Sequence, residues 1–196
     1  HTGFKGGWLA FWLRRLGANM NGLSLPPEEN SFYSAVRLAE DVHDHFLDIR
    51  DEKTVSECLL RIDPDVIFHF AAQAQVLDAY ENPLPTISTN VLGTVHLLEA
   101  ARRLRSLKAF VCVTTDKVYE NQEDGRAFTE DEKLGGSDPY SASKAATEIL
   151  LRAYRESFFS QAAAPELVAV RSGNAIGGGD WADHRLVPEL MKSFKS

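Results

Sequence analysis

Sulfur is scarce and long apolar runs are missing from this chain of 196 residues, which holds two cysteines and two methionines. Two cysteines cannot staple a disulfide scaffold, and Cys58 and Cys112 each sit in an apolar pattern. They read as reduced, buried thiols, which favours the cytoplasm. No apolar run is long enough to cross a bilayer, and no signal peptide is visible, so no membrane partner is expected. No stretch is rich in Lys or Arg, and the net charge is −7. That balance argues against a nucleic-acid or acidic membrane surface. His43-x-His45 lacks a third ligand at a sensible spacing, so no metal is expected. Repeats and low-complexity tracts are absent. There is no initiator Met: the chain opens inside a glycine loop and stops at Ser196 in a helix-like run. A fragment, or a chain with missing ends, is the expectation.

What is present suits one globular α/β domain: 44% hydrophobic, 10% aromatic and 25% charged residues. Gly6 to Leu16 reads as a helix with Trp8, Leu9, Phe11, Trp12 and Leu16 on its apolar side, closed by Gly17. Asn19 to Leu25 is a short strand, broken by Pro26-Pro27, and Glu28 to Glu40 reads as an irregular loop. His45 to Asp48 fits a further strand, and Asp51 caps a helix to about Ile62. Val66 to Phe70 is a compact buried strand, with the small Ala71-Ala72 at its carboxyl end. A long helix follows from Pro85 to Leu104, then a buried strand from Ala109 to Thr114. A polar loop, Asn121 to Gly136, leads to a helix from Asp138 to Phe158. Leu167 to Arg171 is another strand, Gly173 to Asp180 a loop, and Leu186 begins a helix. Continuously apolar strands alternating with helices predict a Rossmann-like, doubly wound parallel sheet with helices on both faces.

In such a sheet, ligands bind beyond the carboxyl ends of the strands. Tyr140-Ser-Ala-Ser-Lys144 places a tyrosine and a lysine one turn apart on one helix face. A neighbouring ammonium favours the phenolate, which can take a proton from an alcohol beside a bound nicotinamide. Tyr-x-x-x-Lys alone arises by chance in any helix. Thr115-Asp116-Lys117, at the end of a central strand, faces the same crevice and strengthens it. Gly3 and Gly6 have the spacing of the last two glycines of a pyrophosphate loop, although an ordinary glycine turn explains them as well. Asp48 reads either as an acceptor for an adenine amino group or as a strand-end turn residue. Gly177-Gly-Gly-Asp180 suits a phosphate cradle or a mobile loop equally. The stripe Ala145, Ile149, Ala153 reads as core or dimer surface.

Together these segments resemble the extended short-chain dehydrogenase/reductase family. Within it they are most similar to the nucleotide-sugar 4,6-dehydratases, in particular the subgroup acting on CDP-glucose. The stretches carrying the resemblance are His1-Thr-Gly-Phe-Lys-Gly-Gly-Trp8, Gly22-Leu-Ser-Leu-Pro-Pro27, Asp48-Ile-Arg-Asp51 and Phe68-His-Phe-Ala-Ala-Gln73. They continue with Thr89-Asn-Val-Leu-Gly-Thr-Val-His96, Val113-Thr-Thr-Asp-Lys117, Gly135-Gly-Ser-Asp-Pro-Tyr140 through Lys144, and Arg171-Ser-Gly-Asn-Ala-Ile-Gly-Gly-Gly-Asp-Trp181. The resemblance implies an NAD-binding region over residues 1–172 and the start of a substrate region over 173–196. The N-terminal strand and most of the C-terminal substrate domain would be missing. It implies NAD contacts from Gly3, Phe4, Lys5, Gly6, Asp48, Ile49, Phe70, Ala71, Ala72, Thr89, Tyr140 and Lys144, and substrate contacts from Gln73, Thr115 and Asn174.

The implied catalytic set is Thr115, Asp116, Lys117, Tyr140 and Lys144. Tyr140 is the base at the sugar 4-hydroxyl, held by Lys144, and Thr115 orients the 4-oxygen. Lys117 removes the C5 proton, provided that burial lowers its pKa, and Asp116 protonates the departing 6-hydroxyl. A nucleotide-sugar substrate and a homodimer or higher homo-oligomer are further implications. The chain departs from the family pattern at Leu77 and Ala79, where the family carries Arg and Ser. Leu23-Ser24-Leu25, at the end of the Asn19–Leu25 strand, offers no acid to select NAD over NADP. A sugar-nucleotide epimerase, a dehydratase acting on another nucleotide sugar, and a truncated dinucleotide-binding module without turnover are the alternative readings.

Overall fold

The structure, a computed structural model, describes residues 1–195. The chain divides into two compact units, one made of His1–Asp48 and the segment from Asn174 onward, the other of Ile49–Gly173.

In the first unit, helix α1 (Phe4–Arg15) starts two residues earlier than the sequence pattern predicts, with Gly3 as its N-cap and Gly17 at φ 78° beyond its end. Its buried residues are Gly7 and Ala10, whereas Trp12 and Leu16 are 62% and 67% exposed. The expected aromatic side is therefore not the buried side. Close approach decides this: a Cβ on Gly7 would lie 3.1 Å from the Phe32 ring and 3.3 Å from the His1 carbonyl.

Strands β1 (Met20–Ser24) and β2 (Val42–Phe46) pair in parallel, Met20 opposite Val42 and Ser24 opposite Phe46. The second of these begins three residues before the predicted His45, and Asp48 lies two residues beyond its end. The stretch 28–40 is not a plain loop. Ser31 caps a short helix α2 (Phe32–Ala35), and a 3₁₀ turn covers Leu38–Glu40. Tyr33 and Leu38 from this stretch join Ala10, Met20 and Val42 in one apolar core. Trp8 stacks on Phe32 at 4.3 Å between ring centroids.

In the second unit, β3 (Val66–His69), β4 (Ala109–Val113) and β5 (Glu166–Val170) form a parallel sheet in that order. Parallel register puts Ile67 beside Phe110, which in turn lies beside Leu167. On this face Phe110, Cys112 and Leu167 are buried. On the opposite face Val66, Phe68, Val168 and Val170 are all exposed, so β3 is not the fully buried strand that its apolar run predicts. A short apolar run fits a half-covered strand as well as a covered one.

Helix α3 (Glu52–Ile62) is capped as expected, with the Asp51 carboxylate accepting from the Thr54 amide. Helix α4 (Val76–Glu81) has no forerunner in the sequence reading. The long predicted helix is composite: α5 (Pro83–Ile87), a π-helical turn over Ser88–Leu92, then α6 (Gly93–Ala101), three residues short of Leu104. Gly93 lets the helix pack closely on Ile49, whose side-chain end would have to shift for a Cβ 2.6 Å away. Helix α7 (Pro139–Phe158) matches its prediction, with Asp138 as N-cap and Pro139 in the first turn. Helix α8 (Leu186–Lys195) returns to the first unit. No helix among the described residues is long and apolar enough to cross a membrane. Both cysteines are buried and unpaired with each other.

Candidate active site

The second unit holds the whole expected catalytic set. Strand β4 ends at Val113, and Thr115 caps a 3₁₀ turn over Asp116–Val118. The Thr115 hydroxyl is buried and donates to Asp116 Oδ1 at 3.0 Å, while the Lys117 amide donates back to Thr115 Oγ1 at 3.4 Å. The Asp116 amide donates to the Ser172 carbonyl at 3.1 Å, which ties the turn to the chain leaving β5. Asp116 and Lys117 are exposed. Lys117 is therefore not the buried lysine that the sequence reading requires, which corrects that premise.

Helix α7 packs against this turn. Tyr140 and Lys144 lie one turn apart on it and are both buried. The Lys144 ammonium donates to the Val113 carbonyl at 3.2 Å, which fastens the helix to the end of β4 just before the threonines. Asp138 holds the first turn through the Ser141 amide at 3.0 Å, so the residue after Pro139 enters at a fixed angle. The preceding loop presses on the same turn: a Cβ on Gly136 would fall 2.4 Å from the Ala142 nitrogen, so only glycine fits. Beneath Lys144, burial and then the ammonium push His69 down to about 3, so its ring is neutral and bonded to Thr94 Oγ1 at 2.9 Å. Burial pushes the Cys112 thiol up to about 11.

Asn90 is a residue that sequence reasoning passed over. It sits in the π turn and is buried, and its amide links two edges of the site. Asn90 Oδ1 accepts from the Gln73 amide at 2.8 Å, and Nδ2 donates to the Gln73 carbonyl at 3.0 Å and to Ser143 Oγ at 2.9 Å. Ser143 Oγ in turn donates to the Tyr140 carbonyl at 2.7 Å. One side chain thus joins the loop beyond β3 to the tyrosine helix. An inserted residue in a helix commonly marks such a site, yet a π turn leaves no trace in apolar spacing. The expected substrate contact Gln73 braces its own loop in this arrangement, its Nε2 donating to the Gln75 carbonyl at 2.9 Å and to Thr86 Oγ1 at 3.0 Å. Phe70, Ala71 and Ala72 follow β3 and are half-buried, and Thr89 lies half-buried in the π turn. Ile49 is buried and packs toward Gly93, and its carbonyl accepts from His96 Nδ1 at 2.9 Å.

The remaining expected contacts belong to the first unit. Gly3 precedes α1, whose first turn has no side-chain cap and no acidic residue. Nothing lies within 4 Å of where a Gly3 Cβ would be. Open space in front of uncapped first-turn amides fits a pyrophosphate. Phe4 and Lys5 open that helix, and Gly6 backs onto His1, its would-be Cβ 3.1 Å from the His1 backbone. Asp48 is half-buried and Asn174 exposed. His1 bridges Asp44 through Nε2 at 2.7 Å and Ser24 through Nδ1 at 3.2 Å. His45 Nε2 meets Asn21 Oδ1 at 3.1 Å, and no group of three potential metal ligands occurs among the described residues.

Known proteins resemble this chain over most of its length. The family profile described as GDP-mannose 4,6 dehydratase matches residues 1–172. A CDP-glucose 4,6-dehydratase of Salmonella typhimurium is 44% identical over 201 residues, covering all of this chain and 56% of that protein. The dTDP-glucose 4,6-dehydratase DesIV of Streptomyces venezuelae, solved with NAD and DAU, superposes with a TM-score of 0.80 at 25% identity, over 95% of this chain and 58% of its own. The UDP-glucose 4-epimerase of Thermus thermophilus, solved with NAD, gives 0.80 at 27% identity over 93% and 56%. The chain thus spans a little over half the length of these relatives.

Proposed function

The chain belongs to the GDP-mannose 4,6-dehydratase family, and we propose on that premise that its full-length protein is an NAD-dependent nucleotide-sugar 4,6-dehydratase acting on CDP-glucose. The observation that supports this reading most is the Thr115-Asp116-Lys117 turn packed against the helix that carries Tyr140 and Lys144. An epimerase needs a base at one hydroxyl. Only a dehydratase also needs an acid and a second base beside it.

Tyr140 takes the proton of the sugar 4-hydroxyl, with the Lys144 ammonium at its side favouring the phenolate. Thr115 turns its hydroxyl from Asp116 to the 4-oxygen. A bound NAD would supply the hydride acceptor for C4 and the hydride donor for C6. The 4-ketone acidifies the C5 proton, and Lys117 removes it. Asp116 gives a proton to the departing 6-hydroxyl, which leaves as water. A proton then returns to C5, and the product is a CDP-4-keto-6-deoxyglucose. Because Asp116 and Lys117 are exposed in the chain alone, the bound substrate must exclude water from them.

Leu84, Ile87 and Leu92, together with Ile149 of α7, expose apolar surface along adjoining helices. They suit pairing with a second copy into a four-helix bundle, so a homodimer in the cytoplasm completes the reading. Light scattering of the full-length protein measures that state. The decisive experiment incubates the full-length protein with CDP-glucose, dTDP-glucose and GDP-mannose in parallel, with loss of one water by mass spectrometry as readout. Turnover of CDP-glucose is expected, and inertness toward all three with NAD present overturns the proposal. Asp116→Asn separates the epimerase reading, since it removes elimination from a dehydratase and leaves an epimerase active.

A further inference from the structure

A buried ion pair lies directly behind the site. Glu148 is on α7 one turn beyond Lys144, so Tyr140, Lys144 and Glu148 recur every fourth residue along one helix face. The Glu148 side chain is 4% exposed and the Arg171 side chain 18%. Arg171 Nε donates to both Glu148 oxygens at 3.0 Å, and Nη2 donates to Oε2 as well. The other arm of the same guanidinium donates to Tyr119 Oη at 3.0 Å and to the Glu130 carbonyl at 2.9 Å, with the cation 4.8 Å over the Tyr119 ring. Tyr119 closes the 3₁₀ turn that begins after Thr115. The carboxylate also receives the hydroxyl of Thr114, the residue between β4 and Thr115, whose amide donates to the Val170 carbonyl at 2.9 Å.

We propose that Arg171 and Glu148 are positioning residues, which set the spacing between the Thr115-Asp116-Lys117 turn and the helix face carrying Tyr140 and Lys144. The inference rests on the dehydratase reading for its kinetic consequence, though not for its geometry. Two residues one turn apart on α7, Lys144 and Glu148, grip two consecutive residues at the strand end, Val113 and Thr114. The planar, five-donor guanidinium then adds the far end of the turn and the loop carbonyl to the same carboxylate. Lysine cannot span both arms. Buried ion pairs are weak sources of net stability, so the role assigned to this one is geometric. Neither residue touches the reacting atoms, so the pair acts through the residues that it holds.

The test uses the full-length protein and three variants: Thr114→Val, Arg171→Lys and Tyr119→Phe. Thr114→Val keeps volume and leaves the ion pair whole, removing only the staple between strand and helix. At a temperature where each is folded, kcat is expected to fall by about tenfold for Thr114→Val and about a hundredfold for Arg171→Lys, the scale of a small misplacement. KM for the nucleotide sugar and the bound NAD content should stay near parental values. The deuterium isotope effect with substrate labelled at C4 should rise, because oxidation becomes limiting. Amide hydrogen exchange over 115–118 and 140–148 should quicken in Thr114→Val and Tyr119→Phe while other segments keep parental rates. Unchanged exchange in both segments overturns the proposal whether or not the enzyme turns over. Parental kcat and isotope effect in an active protein overturn it equally, leaving the pair a fold element only. A parent inert toward every nucleotide sugar sinks the functional reading instead and leaves the exchange result to decide this one.

Discussion

Truncating Asn90 to alanine is expected to cost about 3–5 kcal/mol of stability, because three polar partners lose a bond together. The Gln73 amide and carbonyl lose the side-chain partner that Asn90 provides, and Ser143 Oγ loses a donor while keeping its own donation to the Tyr140 carbonyl. A buried group left unbonded costs about 1–3 kcal/mol, so two such backbone groups, the weakened Ser143 and the small void add to that range. The loop at Gln73 is half-buried, and water can repair part of the loss, which keeps the figure from the top of a simple sum. For a domain of this size the change lowers Tm by about 6–20 °C. Differential scanning calorimetry of parent and Asn90→Ala, with urea denaturation to check that the slope is constant, measures it. Asn90→Asp is expected to be worse, since its second oxygen would face the Gln73 carbonyl, which now accepts the Asn90 Nδ2 hydrogen bond. A loss under about 1 kcal/mol for Asn90→Ala would refute the reasoning.

His69 carries a pH prediction: its folded pKa of about 3 lies below the ordinary histidine value of 6.5, so the unfolded chain binds the extra proton between these limits. Stability is therefore full above pH 6.5 and falls as pH drops, by about 2–3 kcal/mol by pH 4.5, whereas His69→Gln should flatten that slope in urea midpoints taken at pH 7 and 4.5. Asp138→Ala removes the N-cap bond to the Ser141 amide and should cost about 1–2 kcal/mol by thermal denaturation, with Asp138→Asn restoring most of it.

The elements with strong local signals were legible in the sequence. Asp51 and Asp138 announce two helices because a capping carboxylate is a one-residue signal with its own chemistry. Strand β4 reads plainly because a central strand is apolar throughout. The aromatic face of α1 misleads, since Gly7 and Ala10 let the helix approach Phe32 and leave Trp12 outside. Helix α2 hides behind two prolines and is held by tertiary burial of Phe32 and Tyr33 more than by propensity. At the site, Tyr140, Lys144 and Thr115 are visible as a motif. Asn90, Glu148 and Arg171 are not, because their partners are 17, 34 and 23 residues away and a contact at that range has no period.

The placement of the two thiols gives this protein a pair of built-in clocks. Cys112 lies on β4 beneath Lys144 with its proton held to about 11, and Cys58 lies on the inner side of α3. Neither can be alkylated at neutral pH until its own layer opens. Labelling rates resolved by mass spectrometry therefore time the lifting of α7 from the strand ends separately from the loosening of α3, with no foreign reporter introduced.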